Sequence, residues 1–273
     1  MRFLTITLIT LSLLIGCAKP TTVIPASTQQ EVLLEQQQQT KIAKQGSKAA
    51  ATAKAPTTQQ LNEAKQRLAH IAPAIAKAGA QLCQQLFGLP LSECSYNFKV
   101  EADKTINAYA DGKNVVVTTG MMDFANKDDE LALVLSHEVA HNIMGHIQKS
   151  KKNSVLGGAT GLLLDVLAAS QGIDTGAEFT KKGMQVGALR FSSEFEKEAD
   201  YVGLYITAIA KYPIDNAPSF WRKMSVNSPN AIYISTSHPT NPERYLLLEK
   251  TVAEIKQKQK NGVVLQPQIQ IEK

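Results

Sequence analysis

The residues of this chain best placed to do chemistry are His137, Glu138 and His141, within the run Leu131–His146, LALVLSHEVAHNIMGH. Two histidines four apart on a helix project from one face, about one turn from each other. Their imidazoles can hold a single metal ion, and zinc is the usual occupant of such a nitrogen site. Glu138 is next in sequence to His137 and can act on a water beside that ion as general base. The context predicts a buried helix. Asp128, Asp129 and Glu130 suit the positive end of its dipole, and Leu131, Leu133, Val134 and Leu135 form an apolar run. Ionisable groups inside such a run need compensation, which a metal supplies directly.

A second cluster lies downstream, Glu196-Lys197-Glu198-Ala199-Asp200, in a helix expected to open near Phe191 and continue through Tyr201, Leu204 and Ile206. Glu196 and Asp200 are four apart, as the histidines are. A zinc site with two histidines needs a third protein ligand and leaves a fourth position to water. Glu196 can be that ligand, and Asp200 can accept a hydrogen bond from a ligand histidine. Read alone, an acidic cluster on a helix is more often a solvated face.

The elements that must position these groups fit one globular domain with tails. The chain has 273 residues, 44% hydrophobic and 19% charged, which suffices for one sizeable core. Its formal charge is +5, but no lysine and arginine patch is interleaved with aromatics, so no nucleic-acid partner is expected. Residues 1–16 read as a signal peptide: Arg2 precedes the apolar stretch Phe3–Ile15, which is too short for a stable span. Leu14-Ile15-Gly16-Cys17 resembles the lipobox of bacterial lipoproteins, which implies lipidation of Cys17, and Ala18 in place of Asp implies export to the outer membrane. Residues 17–60, rich in Gln, Thr, Ala and Lys, are expected to form a flexible tether. The catalytic domain is expected over 61–260, with 261–273 as a tail.

Within the domain, Leu61, Ala64, Leu68, Ile71, Ile75, Leu82 and Leu86 follow helical spacing, with Pro73 set to bend that helix or start another. Cys83 and Cys94 remain as a pair once Cys17 is spent on lipid, and an oxidising compartment favours a disulfide between them. Strands are expected over Tyr96–Val100 and Val115–Thr118, the latter entered through a turn at Asp111-Gly112. The stretch from Ser154 to Gly187 is rich in glycine and small apolar residues. It is read as a helix pair covering the site, with a membrane or partner contact as the alternative.

His137-Glu138-Val139-Ala140-His141 followed by Glu196-Lys197-Glu198-Ala199-Asp200 resembles the gluzincin zinc metalloproteases of the HtpX, BepA and LoiP type. Three further stretches agree: Asn107-Ala108-Tyr109, Thr119-Gly120-Met121-Met122 and Ser237-His238-Pro239-Thr240-Asn241-Pro242-Glu243-Arg244. The lipobox and the cysteine pair bring the chain closest to LoiP-like outer-membrane lipoproteins. The resemblance implies an α+β, mainly helical zincin-type domain with a small sheet whose edge strand borders the active site. It implies one Zn2+ on His137, His141 and Glu196, Glu138 as base, Asp200 as the group that orients a ligand, and His238 and Arg244 beside the metal. His238 would either donate to the oxyanion of the tetrahedral intermediate or plug the open metal position; restraint of a broad protease favours the plug. An extended substrate is expected to add a strand along Val115–Thr118. The implied function is a membrane-anchored endopeptidase acting on unfolded or misassembled envelope proteins, with envelope assembly proteins as further partners. The alternative is a chaperone-like assembly factor whose site stays plugged.

Overall fold

The computed structural model describes residues 20–45, 56–189, 192–227 and 242–271. Cys17 and His238 lie outside the described residues.

The first long element of the catalytic region is a single helix, α2, Thr58–Phe87. Thr57 and Gln60 form a reciprocal capping box at its start, and Gly88, at φ 63°, closes it in the left-handed conformation that glycine adopts without penalty. Pro73 lies inside this helix and does not split it. Its core face, Leu68, Ile71, Ile75 and Leu82, is fully or almost fully buried. Cys83, near its end, is joined by a disulfide to Cys94.

Three strands follow: β2, Asn97–Glu101; β3, Ala108–Ala110; and β4, Asn114–Thr118. Their order is β2-β4-β3, with β4 parallel to β2 and antiparallel to β3. Thus Val115–Thr118 is the central strand and not the edge. Its backbone groups are taken by neighbours on both sides, so a substrate cannot add there. The edge that faces the site helix is β3, and among the described residues no strand pairs with its outer side. Val115, Val117 and Thr118 on the central strand are buried, as a strand covered on both faces requires.

Thr118 caps a short helix, α3, Thr119–Phe124. The helix α4, Asp128–Ile143, then runs through the middle of the domain with every residue from Glu130 onward buried. Helix α7, Ser192–Ile209, packs across it, and α8, Ala217–Asn227, and α9, Pro242–Lys260, complete the bundle.

The stretch expected as a flexible tether differs from that expectation. Strand β1, Pro20–Thr22, pairs antiparallel with β5, Ile269–Ile271, so the first and last of the described residues are zipped together. Helix α1, Gln29–Gln45, packs on α8 and α9. The sequence carries few large apolar residues here, and polar contacts hold the helix instead. Thr28 and Glu31 cap its start reciprocally, and buried Glu35 accepts two 2.7 Å bonds from Arg222.

Between α4 and α7 the chain leaves the bundle as a helical hairpin: α5, His146–Ser170, and α6, Glu178–Leu189. The two helices pack chiefly on each other and touch α4 and α7 only at the base. The hairpin is therefore not a cover over the site. Leu162, Leu163 and Leu167 are more than half exposed.

Candidate metal centre

Two helices build the site, and one glycine sets their separation. On α7, Gly203 stands where an added Cβ would meet the backbone N and Cα of His137 at 3.0 Å. That close approach lets Glu196 and Asp200, up to two turns earlier on α7, reach the histidines of α4. The Nε2 atoms of His137 and His141 lie 3.0 Å apart. The Glu196 carboxylate bridges them, with one oxygen 3.3 Å from His137 Nε2 and the other 3.3 Å from His141 Nε2. All three residues are buried, and their donor atoms fall within 4.8 Å of one another. Two imidazole nitrogens and one carboxylate converging in a dry interior fit a divalent ion with zinc-like preferences. Glu138 is buried beside them at 2% exposure.

Behind the donors, each histidine is held at its other ring nitrogen. His137 Nδ1 sits 3.0 Å from Asp200 Oδ1. Arg244, from the start of α9, grips both Asp200 oxygens at 2.6 and 2.8 Å and also lies 3.0 Å from Glu196. Its guanidinium rests 5.1 Å above the Trp221 ring. Burial disfavours the charge on Asp200, but Arg244 and His137 outweigh it and hold the carboxyl below its ordinary range. Burial likewise disfavours the His137 cation, yet Asp200 and Glu196 lift that ring to about 9 in the absence of metal.

His141 is held through an intermediary. Gly145, at φ 65°, ends α4 and turns the chain so that α5 starts with His146 folded back on the site. His146 Nδ1 lies 2.9 Å from His141 Nδ1, and His146 Nε2 lies 2.8 Å from Glu198. With His141 Nε2 turned to the donor cluster, its Nδ1–H donates to His146, and His146 Nε2–H donates to Glu198. Burial pushes the His146 ring below its usual value, which keeps it neutral as this chain requires. Burial opposes the charge on Glu198, but His146, Lys149 and Thr22 hold it at about 2. Thr22 of β1 donates its hydroxyl to Glu198 at 2.9 Å, so the docked N-terminal strand supports a potential metal ligand three hydrogen bonds away. Phe195 stacks on His146 at 4.6 Å.

The structure thus brings together His137, Glu138, His141, Glu196, Asp200 and Arg244 from the sequence reading. His146, Glu198 and Trp221 escaped that reading. His146 stands five residues after His141, and Glu198 stands two residues after Glu196, but only the break at Gly145 turns them toward each other.

The profile of Peptidase family M48 matches residues 72–252, well over half of the chain and inclusive of every donor above. The chain belongs to peptidase family M48. Among relatives of this M48 chain, Mitochondrial metalloendopeptidase OMA1 of Schizosaccharomyces pombe is 27% identical over 177 residues, 63% of this chain and 51% of that protein. The protein of the same name in Arabidopsis thaliana is 29% identical over 161 residues, 58% of this chain and 32% of that one. Beta-barrel assembly-enhancing protease of Yersinia pestis is 27% identical over 140 residues, 49% of this chain and 29% of that protein. The M48 chain therefore spans about half or less of the length of these relatives.

Proposed function

We propose that the chain is a zinc metalloendopeptidase that hydrolyses peptide bonds in unfolded or misassembled cell-envelope proteins, held at the periplasmic face of the outer membrane by lipidated Cys17. The observation that carries the activity is the buried convergence of His137, His141 and Glu196 with Glu138 on the same helix. Family membership and the metalloendopeptidase and protease names of the relatives support the same class.

His137, His141 and Glu196 would hold the ion, which supplies Lewis-acid polarisation of the scissile carbonyl and acidifies water when bound. The remaining work falls to the chain. Glu138 takes a proton from the attacking water and returns it to the leaving amine. Asp200 and the His146–Glu198 pair accept the Nδ1 protons of His137 and His141, which fixes both rings with Nε2 toward the site. Arg244 balances Asp200 and Glu196, so two buried carboxylates do not repel each other across the donors. An extended substrate adds to the outer side of β3, where main-chain bonds give affinity with little demand on sequence. That suits unfolded chains. Restraint of so permissive a site is assigned to His238, as a plug.

The test is the peptidase rate of the zinc-loaded chain on a permanently unfolded protein, with Glu138→Gln as comparison. Removal of the base is expected to lower turnover by about 10²–10⁴ with zinc content unchanged. Equal rates, or no cleavage by the zinc-loaded wild type, would sink the endopeptidase reading.

A further inference from the structure

The α5–α6 hairpin is built inside out for water. Its helices meet through glycine: a Cβ on Gly161 would fall 2.0 Å from the Phe179 carbonyl oxygen, and one on Gly183 would fall 2.1 Å from that of Gly157. One polar cluster is tucked between the helices. Asp165, buried and flanked by Leu164 and Val166, accepts the Phe179 and Thr180 amides at 3.2 and 2.8 Å, together with the Thr175 and Thr180 hydroxyls. Asp165 thereby caps the start of α6 from the neighbouring helix. The large apolar side chains face outward: Leu156, Leu162, Leu163, Val166 and Leu167 are each half to two-thirds exposed, and Phe179 is 43% exposed. A patch of this size on a water-soluble surface marks a binding face.

We propose that this hairpin seats in the interfacial zone of a lipid bilayer with anionic headgroups, its α5 side chains reaching into the acyl boundary. Charge favours that occupant over a protein. Lys149, Lys151 and Lys152 stand at the base, and Lys181 and Lys182 stand on α6. Only Asp174 and Glu178 oppose them toward solvent. Apolar residues flanked by lysines match acyl chains flanked by phosphates. Helix α5 is long and apolar enough to cross a bilayer. Its partner α6 forbids the crossing, because Gly183 packs level with Gly157 and Gly161 and carries the adjacent Lys181 and Lys182 to mid-hairpin depth. The hairpin therefore lies in the surface and does not span it.

Position supports the same occupant, in an argument that rests on the proposed Cys17 anchor. Thr22 bonds Glu198, and Glu198 lies 3.6 Å from Lys149 at the hairpin base. Cys17 precedes Thr22 by five residues, a reach of at most ~18 Å. The anchor would thus emerge beside the hairpin, and the site between α4 and α7 would be held close to the bilayer rather than on a long tether.

The experiment places a reporter on the hairpin of the full chain, as Leu163→Trp and separately Leu167→Trp, both at exposed positions. Each is reconstituted in phosphatidylethanolamine–phosphatidylglycerol vesicles containing lipids brominated at defined depths; metal binding checks the fold. Emission from the added tryptophan is expected to fall by about half with bromines at the ~5–10 Å depth of interfacial segments, and far less with bromines at the bilayer centre. Wild type, whose Trp221 is buried, is expected to show no such loss. Absence of quenching in both variants overturns the proposal, as does stronger quenching from the centre, which would mean a span. Quenching that yields to cross-linking between copies overturns it in favour of self-association. Cys17→Ser separates the readings: quenching that persists without lipid keeps the hairpin while the anchor fails, and an anchored chain without quenching does the reverse.

Discussion

The α4–α7 crossing and the α5–α6 hairpin use the same local devices and reach opposite results. Each brings two helices together across glycine, Gly203 in one and Gly161 with Gly183 in the other. Each buries a carboxylate and satisfies it fully, Asp200 through Arg244 and His137, Asp165 through amides and hydroxyls. The crossing, however, is wrapped by α2, the sheet, α8 and α9, so its apolar residues are removed from water. Nothing described wraps the hairpin beyond its base. Close packing and polar satisfaction are thus local properties of a helix pair. Whether its outer face is core or docking surface depends on what surrounds it.

The comparison is broken most sharply by exchanging glycine for valine in each pair. Gly203→Val presses branched methyls on the His137 backbone, which cannot rotate away. It is expected to cost about 3 kcal/mol, the upper part of the usual overpacking range, and to reduce metal retention. Gly161→Val forces the hairpin helices apart and is expected to leave metal retention at the wild-type level. Denaturant unfolding and metal analysis of the two proteins decide the matter. Metal loss in Gly161→Val would mean that the hairpin is an integral part of the site.

A smaller effect is expected from His146, which stands where hairpin and crossing join. His146→Ala should weaken zinc binding by about 10–100-fold in competition with a chelator, because His141 loses the acceptor that orients it. His146→Gln, which can still accept that bond, should recover part of the loss. Unchanged affinity in both variants would detach the hairpin base from the metal centre.

The smallest effect concerns Asp165, held at about 2 against an ordinary value of 3.8; burial opposes its charge, and bonds from Thr175, Thr180 and Phe179 prevail. Its carboxylate therefore stabilises the hairpin above about pH 4, and the contribution fades as pH falls from there toward 2. Hydrogen exchange in α6 should accelerate over that window in wild type. In Asp165→Asn it should be fast already and lack that pH dependence. Acid acceleration of equal size in the variant would assign the effect to another carboxylate.

The sequence by itself determined the helix α4 and the shared face of His137 and His141, through its apolar flanks and the 3.6-residue period. Glu196 was not determined in that way: read alone, its acidic cluster suits a solvated face, the family resemblance pointed to it as a ligand, and the packing of α7 on α4 buries it. The sequence also determined the cysteine pair and the extended run at Val115–Thr118. Which strand is the edge was decided only in three dimensions, because an apolar strand reads alike whether one or both sides are paired. So was the docking of residues 20–45, where Glu35 finds Arg222 and β1 finds β5 across nearly the whole chain, contacts that no local pattern encodes. His146 and Glu198 became partners only through the left-handed turn at Gly145, which a helical period cannot carry across. The hairpin residues 155–167 are apolar in either reading; whether they face core or solvent depends on the absence of a third layer, and that is a property of the assembled domain.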